Sequence, residues 1–252
     1  ILTSSRFFIP SDYLEGFGKI YKTALNNINL NLPKNIFTGI GFLWNSEFAI
    51  WASICSSKGT KIFGYQHGGA YGDVEIISDE FFERNNCDTY LTWGWRENKK
   101  TKPFFPPFSV NKSTIKKTSF NQVLWVTTGD SRFQYFVENI VSGEVFYNYF
   151  LTQFNLYDKL SPSLKKKILL RLYPVDFGWN HKKRWLSRFP SVKIDTLKKT
   201  FLDQIDVSDI VIIDHLGGTT ALQCLNLNKP FVIIAEKKLF KIRNSAFSFH
   251  KE

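Results

Sequence analysis

The sequence predicts two doubly wound α/β domains, the first of them incomplete, facing one another across a cleft. Three observations predict it. Short runs rich in Ile, Val and Phe alternate with segments of helical periodicity, the pattern of parallel sheets covered on both faces. A lysine-rich stretch at 98–117, holding Pro103, Pro106 and Pro107, interrupts that alternation and reads as a linker. Glycine-bearing loops follow strand-like runs at two places, where doubly wound sheets take their ligands. The domains are therefore expected at 1–107 and 118–252.

Taken in order, residues 13–28 read as a helix capped by Ser11 or Asp12, and Pro33 lies beyond its end. Residues 36–40 read as a strand. Residues 45–57 read as a helix, because Phe48, Trp51, Ala52 and Cys55 recur at three- and four-residue spacing. A strand at 61–65, a helix at 78–86 with acids in its first turn, and a strand at 88–93 complete the first half. The prolines of 98–117 oppose both helix and central strand. The pattern restarts with strands at 122–127, 167–172, 192–195, 209–214 and 230–234. Helices are expected at 133–160, 181–188, 200–207 and 219–227. The run at 209–214 is continuous in Ile and Val, as a fully buried parallel strand should be.

Composition narrows the classes. The 252 residues carry 33 Lys and Arg against 22 Asp and Glu, a net charge of +11 that attracts anions. No apolar run reaches the roughly 20 residues of a membrane-spanning helix. Cys55, Cys87 and Cys224 are far apart and odd in number, so neither a disulfide framework nor a zinc site is expected, and a reducing cytoplasm fits best. The chain has no Met and begins at Ile1; it is expected to be an internal piece of a longer protein, so a missing signal peptide carries no weight.

The candidate site residues lie at the carboxyl ends of strands. Gly64-Tyr65-Gln66-His67-Gly68-Gly69-Ala70-Tyr71-Gly72 places one imidazole among glycines, where backbone can approach a ligand closely. His67 is the expected catalytic base, since its ordinary pKa lies near neutral, and Gln66 is an expected sugar or ribose contact. Asp73, Glu75, Asp79 and Glu80 are the nearby carboxylates that could take the base role if His67 only binds. In Asp214-His215-Leu216-Gly217-Gly218-Thr219-Thr220, two glycines allow a tight turn and the next helix offers free amides to a phosphate. Gly217, Gly218, Thr219 and Thr220 are its expected binders, with Asp214 as a hydroxyl acceptor. In Arg171-Leu172-Tyr173-Pro174-Val175-Asp176-Phe177-Gly178-Trp179, Arg171 can fork onto a phosphate. Asp176 can accept from a hydroxyl and Trp179 can offer a stacking face. Thr127-Thr128-Gly129-Asp130-Ser131 reads as ordinary turn chemistry.

Two such domains joined by a proline-rich linker resemble the GT-B glycosyltransferase architecture, with Rossmann-like halves. The segment 214–234, with Gly-Gly-Thr-Thr, Lys229-Pro230 and its closing apolar strand, is similar to the donor-binding segment of those enzymes. The four motifs Tyr-Gln-His-Gly-Gly-Ala-Tyr-Gly, Leu-Thr-Trp-Gly-Trp (91–95), Arg-Leu-Tyr-Pro-Val-Asp-Phe-Gly-Trp and Leu-Gly-Gly-Thr-Thr, in that order, resemble a family of bacterial surface-carbohydrate transferases. A looser similarity is to CMP-sugar transferases; Tyr173-Pro174 stands where their His-Pro motif would.

The resemblance implies transfer of a sugar from a nucleotide-activated donor to a carbohydrate or lipid-linked acceptor, with no cofactor. No Asp-x-Asp pair follows a strand, so no metal is expected. The surplus of Lys and Arg fits peripheral contact with the inner face of an anionic membrane. A glycerol-phosphate or polyol-phosphate transferase and a sugar epimerase are alternatives on the same architecture. A basic module for nucleic acid or a protein partner is the alternative of another class. The basic residues do not concentrate on one element, which argues against nucleic acid.

Overall fold

The computed structural model describes residues 9–107, 120–133, 143–216, 218–234 and 242–247. The chain divides into two compact units, residues 1–67 with 78–106, and residues 68–77 with 107–252.

The first unit is built on a parallel sheet of β1 (Asn35–Thr38), β2 (Lys61–Tyr65), β3 (Thr89–Thr92) and β4 (Thr101–Pro103), in that spatial order. Helices α1 (Phe17–Leu30), α2 (Gly41–Trp44), α3 (Ser46–Ser57) and α4 (Ser78–Asn85) accompany it, and α1 packs on α3. Asn45 caps α3, its side chain accepting from Phe48 N at 2.9 Å. Ile36, Ile62 and Tyr90 are buried.

Two expectations are corrected here. β4 lies inside the expected linker; Pro103 is tolerated because β4 is the edge strand, where no outer neighbour needs the missing N–H. Helix α1 begins at Phe17 rather than at 13, because Ser11–Tyr13 closes a separate 3₁₀ turn, in which Ser11 O accepts from Leu14 N and Gly16 N.

The second unit holds a five-stranded parallel sheet of β5 (Val123–Val126), β6 (Ile168–Arg171), β7 (Lys193–Ile194), β8 (Ile210–Ile213) and β9 (Phe231–Ile233). Its spatial order is β7-β6-β5-β8-β9. Sequence order therefore reverses between β5 and β8, the arrangement of a doubly wound sheet. Alternate residues face opposite ways. Val123, Trp125, Ile168 and Leu170 pack under α5 (Gly143–Lys159) and α7 (His181–Arg188). Leu124, Val126, Val211 and Ile213 pack against Ile205 of α8 (Phe201–Val207) and Cys224 of α9 (Thr219–Asn226). Helix α5 buries Phe146, Tyr149, Phe150, Gln153, Phe154 and Tyr157, a stripe at three- and four-residue spacing. Each large apolar side chain so buried contributes roughly 1.5–3 kcal/mol of transfer free energy.

Helix α5 begins at Gly143, and residues 134–142 of the longer helix expected at 133–160 lie outside the described residues. A short helix, α6 (Pro162–Lys167), was not anticipated. Ser161 caps it from the side chain and Pro162 occupies its first turn. Residues 68–77 join this unit through an antiparallel bridge between Val74 and Ile242, and Arg243 donates to the carbonyls of Asp73 and Val74. α10 (Asn244–Phe247) follows. Among the described residues no helix is long and apolar enough to cross a membrane.

Candidate functional site

In the first unit, β2 ends at Tyr65 and the chain turns through Gln66 and His67. Gln66 is buried. Its side-chain oxygen accepts from Trp93 N and from Trp95 Nε1, each at 2.8 Å, so it ties the end of β2 to the turn after β3. The amide that the sequence offered as a sugar contact thus spends its oxygen on the protein.

The His67 side chain keeps about 30 % of its accessible surface. Its Nδ1 lies 3.0 Å from Oε1 of Glu83, a carboxylate with no exposure at all. The second oxygen of Glu83 accepts from the buried Tyr90 hydroxyl at 2.8 Å. Sequence reading missed Glu83. It named Asp79 and Glu80 on the same helix, but Glu80 is buried and tied to Arg84 at 2.7 Å, and Arg84 also pairs with Glu97. The available signal was Glu80 and Glu83 at i, i+3, which lie one above the other on a helix and here share its buried face. Asp73 and Glu75 belong to the stretch that joins the second unit.

In the second unit the carboxyl ends of β5 and β8 flank the point where strand order reverses. After β5, Thr127 Oγ1 accepts from Tyr173 N at 3.2 Å, and Thr128 N donates to the Tyr149 hydroxyl at 2.9 Å. After β8 come Asp214 and His215. Asp214 is buried and accepts three hydrogen bonds: Tyr149 OH at 2.7 Å on Oδ1, Trp125 Nε1 at 2.7 Å and Gln153 Nε2 at 2.6 Å on Oδ2. Three donors on one carboxylate make its burial tolerable. Burial first, then the Asp214 charge, holds the Tyr149 hydroxyl well above its ordinary pKa.

The same network runs on to His181, whose Nε2 lies 3.1 Å from Gln153 Oε1 and 3.1 Å from Trp185 Nε1. Burial lowers the His181 pKa to about 4, against the opposing pull of Asp214 and Asp176 and with the help of Arg184. Its imidazole is a neutral member of the core.

Helix α9 starts at the turn after β8. Gly218 is its N-cap, and without a side chain it gives the first amides no capping partner. Thr219 is half-buried and Thr220 buried in the first turn; Gly217 lies outside the described residues. His215 packs directly on Gly218: a Cβ there would stand 2.7 Å from His215 Nε2. His215 Nδ1 is buried with no hydrogen bond, 3.5 Å from Asp214 Oδ1. Gly69 reaches this turn from residues 68–77, and a Cβ on it would stand 2.5 Å from Thr219 N and 2.6 Å from Gly218 C. Two glycine backbones therefore touch here.

The remaining predicted residues are placed as follows. Arg171, at the end of β6, is buried and ion-paired with Asp195 after β7, with a 3.4 Å bond to Lys199 O, so its fork is engaged within the protein. Asp176 accepts from Asn180 N and His181 N, each at 2.8 Å, and fixes the entry into α7. Burial raises its pKa, but the backbone donors outweigh that and hold it below the ordinary carboxylate value. Trp179, expected to offer a stacking face, is buried against Phe146 and Phe150, and its Nε1 donates to Asp130 O at 2.9 Å. The aromatic stripe of α5 claims that indole before any ligand can. Among the described residues no group of three or more His, Cys, Asp or Glu side chains is placed to hold a metal ion.

Nothing among the curated proteins matches this chain. A family model described as LIC12162 family transferase matches residues 4–252. Two parallel α/β sheets, with an imidazole–carboxylate pair at the end of one strand and an uncapped helix start at the other sheet's order reversal, are what an enzyme of group transfer can use; the chain belongs to the LIC12162 family of transferases.

Proposed function

We propose that this transferase moves a glycosyl group from a nucleotide-activated sugar to a hydroxyl of a carbohydrate or lipid-linked acceptor, in a GT-B type of organisation. The observation that carries the proposal is the pair formed by His67 and the fully buried Glu83 at the carboxyl end of β2. An imidazole backed by a carboxylate is suited to remove a proton from an alcohol at neutral pH.

In this reading His67 takes the acceptor O–H proton while the acceptor oxygen bonds to the anomeric carbon. The bond from that carbon to the phosphate oxygen breaks, and the donor nucleotide leaves with the electron pair. The first turn of α9, whose N-cap Gly218 supplies no side-chain cap, stabilises with its backbone dipole and the Thr219 hydroxyl the charge that gathers on the leaving phosphate. Gln66 and Asp214 fix the strand ends that carry these groups, and Arg171, Asp176 and Trp179 brace the neighbouring turns from within the protein. The reaction proceeds in the cytoplasm, with the excess positive charge favouring an anionic membrane that carries the acceptor.

A thermal-shift screen with CMP, CDP, UDP and GDP tests the donor half. At least one should raise the melting temperature, and at 100 times its dissociation constant the gain is about 2.7 kcal/mol. If none of the four shifts the transition, the donor site does not exist as proposed.

A further inference from the structure

Glu83 has no exposed surface, and its two oxygens are treated unequally. Oε2 accepts from the Tyr90 hydroxyl at 2.8 Å. Oε1 has no aligned hydrogen bond and lies 3.0 Å from His67 Nδ1. The neighbouring guanidinium of Arg84 is taken up by Glu80 and Glu97. A buried carboxylate with one oxygen short of a donor is costly, and a purely structural site would fill the place with an apolar side chain. The donor within reach is an Nδ1–H of His67.

We propose that Glu83 is the positioning residue of His67, and that Tyr90 sets the direction in which it acts. This rests on the reading of His67 as the base. Because a Tyr hydroxyl hydrogen seeks an acceptor, Tyr90 fixes Oε2 and leaves Oε1 to face the imidazole as an acceptor. That holds the neutral ring with its proton on Nδ1, so that the lone pair on Nε2 is the one that takes the acceptor's proton. The acid–base partner is thereby chosen by a hydroxyl two groups away from the reacting atom.

The arrangement makes a directional prediction for Glu83→Gln. Tyr90 holds the amide oxygen, so the amide NH2 is turned toward His67 Nδ1. The ring then accepts at Nδ1 and moves its proton to Nε2, the wrong tautomer for a base. Adding Tyr90→Phe removes the hydroxyl that orients the amide. The amide can then turn its oxygen to His67, and the original tautomer returns.

The test is nitrogen NMR of the full chain labelled in its four histidines, with the His67 signals identified by their loss in His67→Asn. Expected are an Nδ1–H ring in the wild type, an Nε2–H ring in Glu83→Gln, and recovery of Nδ1–H in Glu83→Gln/Tyr90→Phe. Release of nucleotide from a sugar donor should fall roughly 10²- to 10⁴-fold in Glu83→Gln with the donor KM unchanged, and recover in part in the double variant. The melting temperature should not fall in Glu83→Gln, since a buried charge is removed. If that variant does not fold, Glu83→Asp keeps the acceptor and should retain Nδ1–H. The same His67 tautomer in wild type and Glu83→Gln overturns the positioning role and leaves His67 standing as a base. Full turnover in His67→Ala overturns the base while leaving the tautomer result intact.

Discussion

Acid should weaken the second unit through one buried imidazole. His181 stands under α5 with Nε2 against Gln153 and Trp185, and burial holds its pKa at about 4 against an ordinary 6.5. The native ring therefore stays neutral where the unfolded chain takes up a proton, and stability is lost as pH falls from 6.5 toward 4. With these two values the loss is about 2 kcal/mol between pH 7.5 and 5, and about 3 kcal/mol by pH 4. Asp214 and Asp176 pull the ring upward and Arg184 pushes it down, so the value already contains its charged neighbours. Asp88 and Asp176 are held below the ordinary carboxylate range and Asp130 is raised by burial, and all three are common to wild type and a His181 variant, so their titration cancels in the comparison. The perturbation is His181→Gln, which keeps a polar partner for Gln153 and cannot titrate. Urea unfolding of wild type and variant at pH 7.5, 6 and 5 reads the difference, which should shrink by about 2 kcal/mol on going to pH 5. Parallel pH dependences for the two proteins would refute the buried neutral histidine.

Other outcomes follow from the same network and its neighbours. Asp214→Asn places an amide NH2 among the donors of Trp125, Tyr149 and Gln153 and should cost about 3 kcal/mol in urea unfolding; no loss would mean the three bonds are not formed together. Gly69→Ala drives a Cβ to 2.5 Å from Thr219 N and should cost roughly 1–3 kcal/mol, whereas Gly68→Ala, meeting only the Tyr71 ring at 3.4 Å, should be nearly neutral. Equal melting temperatures for the two variants would exclude the glycine–glycine contact. All three cysteines are buried; burial pushes Cys224 up to about 12 and raises Cys55 and Cys87, so a thiol reagent at pH 8 should label none until the chain unfolds.

The strand and helix alternation was legible because buried parallel strands are rich in apolar residues, and the unbroken Ile and Val run at 210–213 shows one openly. β4 was hidden by Pro103 and the prolines that follow it, since sequence alone does not say which strand is an edge. Strand order was equally hidden. It decides that the turn after β5 flanks the reversal of the sheet, and the Thr-Thr-Gly-Asp segment accordingly read as a plain turn. His67 stood out because glycines surround it. Glu83 did not, because a carboxylate on a helix face normally seeks water, and only packing against β3 takes this one out of it. The internal partners of Trp179, Asp214 and Gln66 were hidden for the opposite reason. Residue types that bind ligands also serve as buried polar links, and their neighbours in space come from distant parts of the chain.

Glycosyl transfer with His67 as base is measured as release of nucleotide from UDP-, GDP-, CDP- and CMP-activated sugars in the presence of an acceptor. Turnover is expected with at least one donor, with a loss of roughly 10²-fold or more in His67→Ala at an unchanged melting temperature. Turnover by His67→Ala at the wild-type rate, or transfer of a phosphate-bearing polyol in place of a sugar, would contradict it.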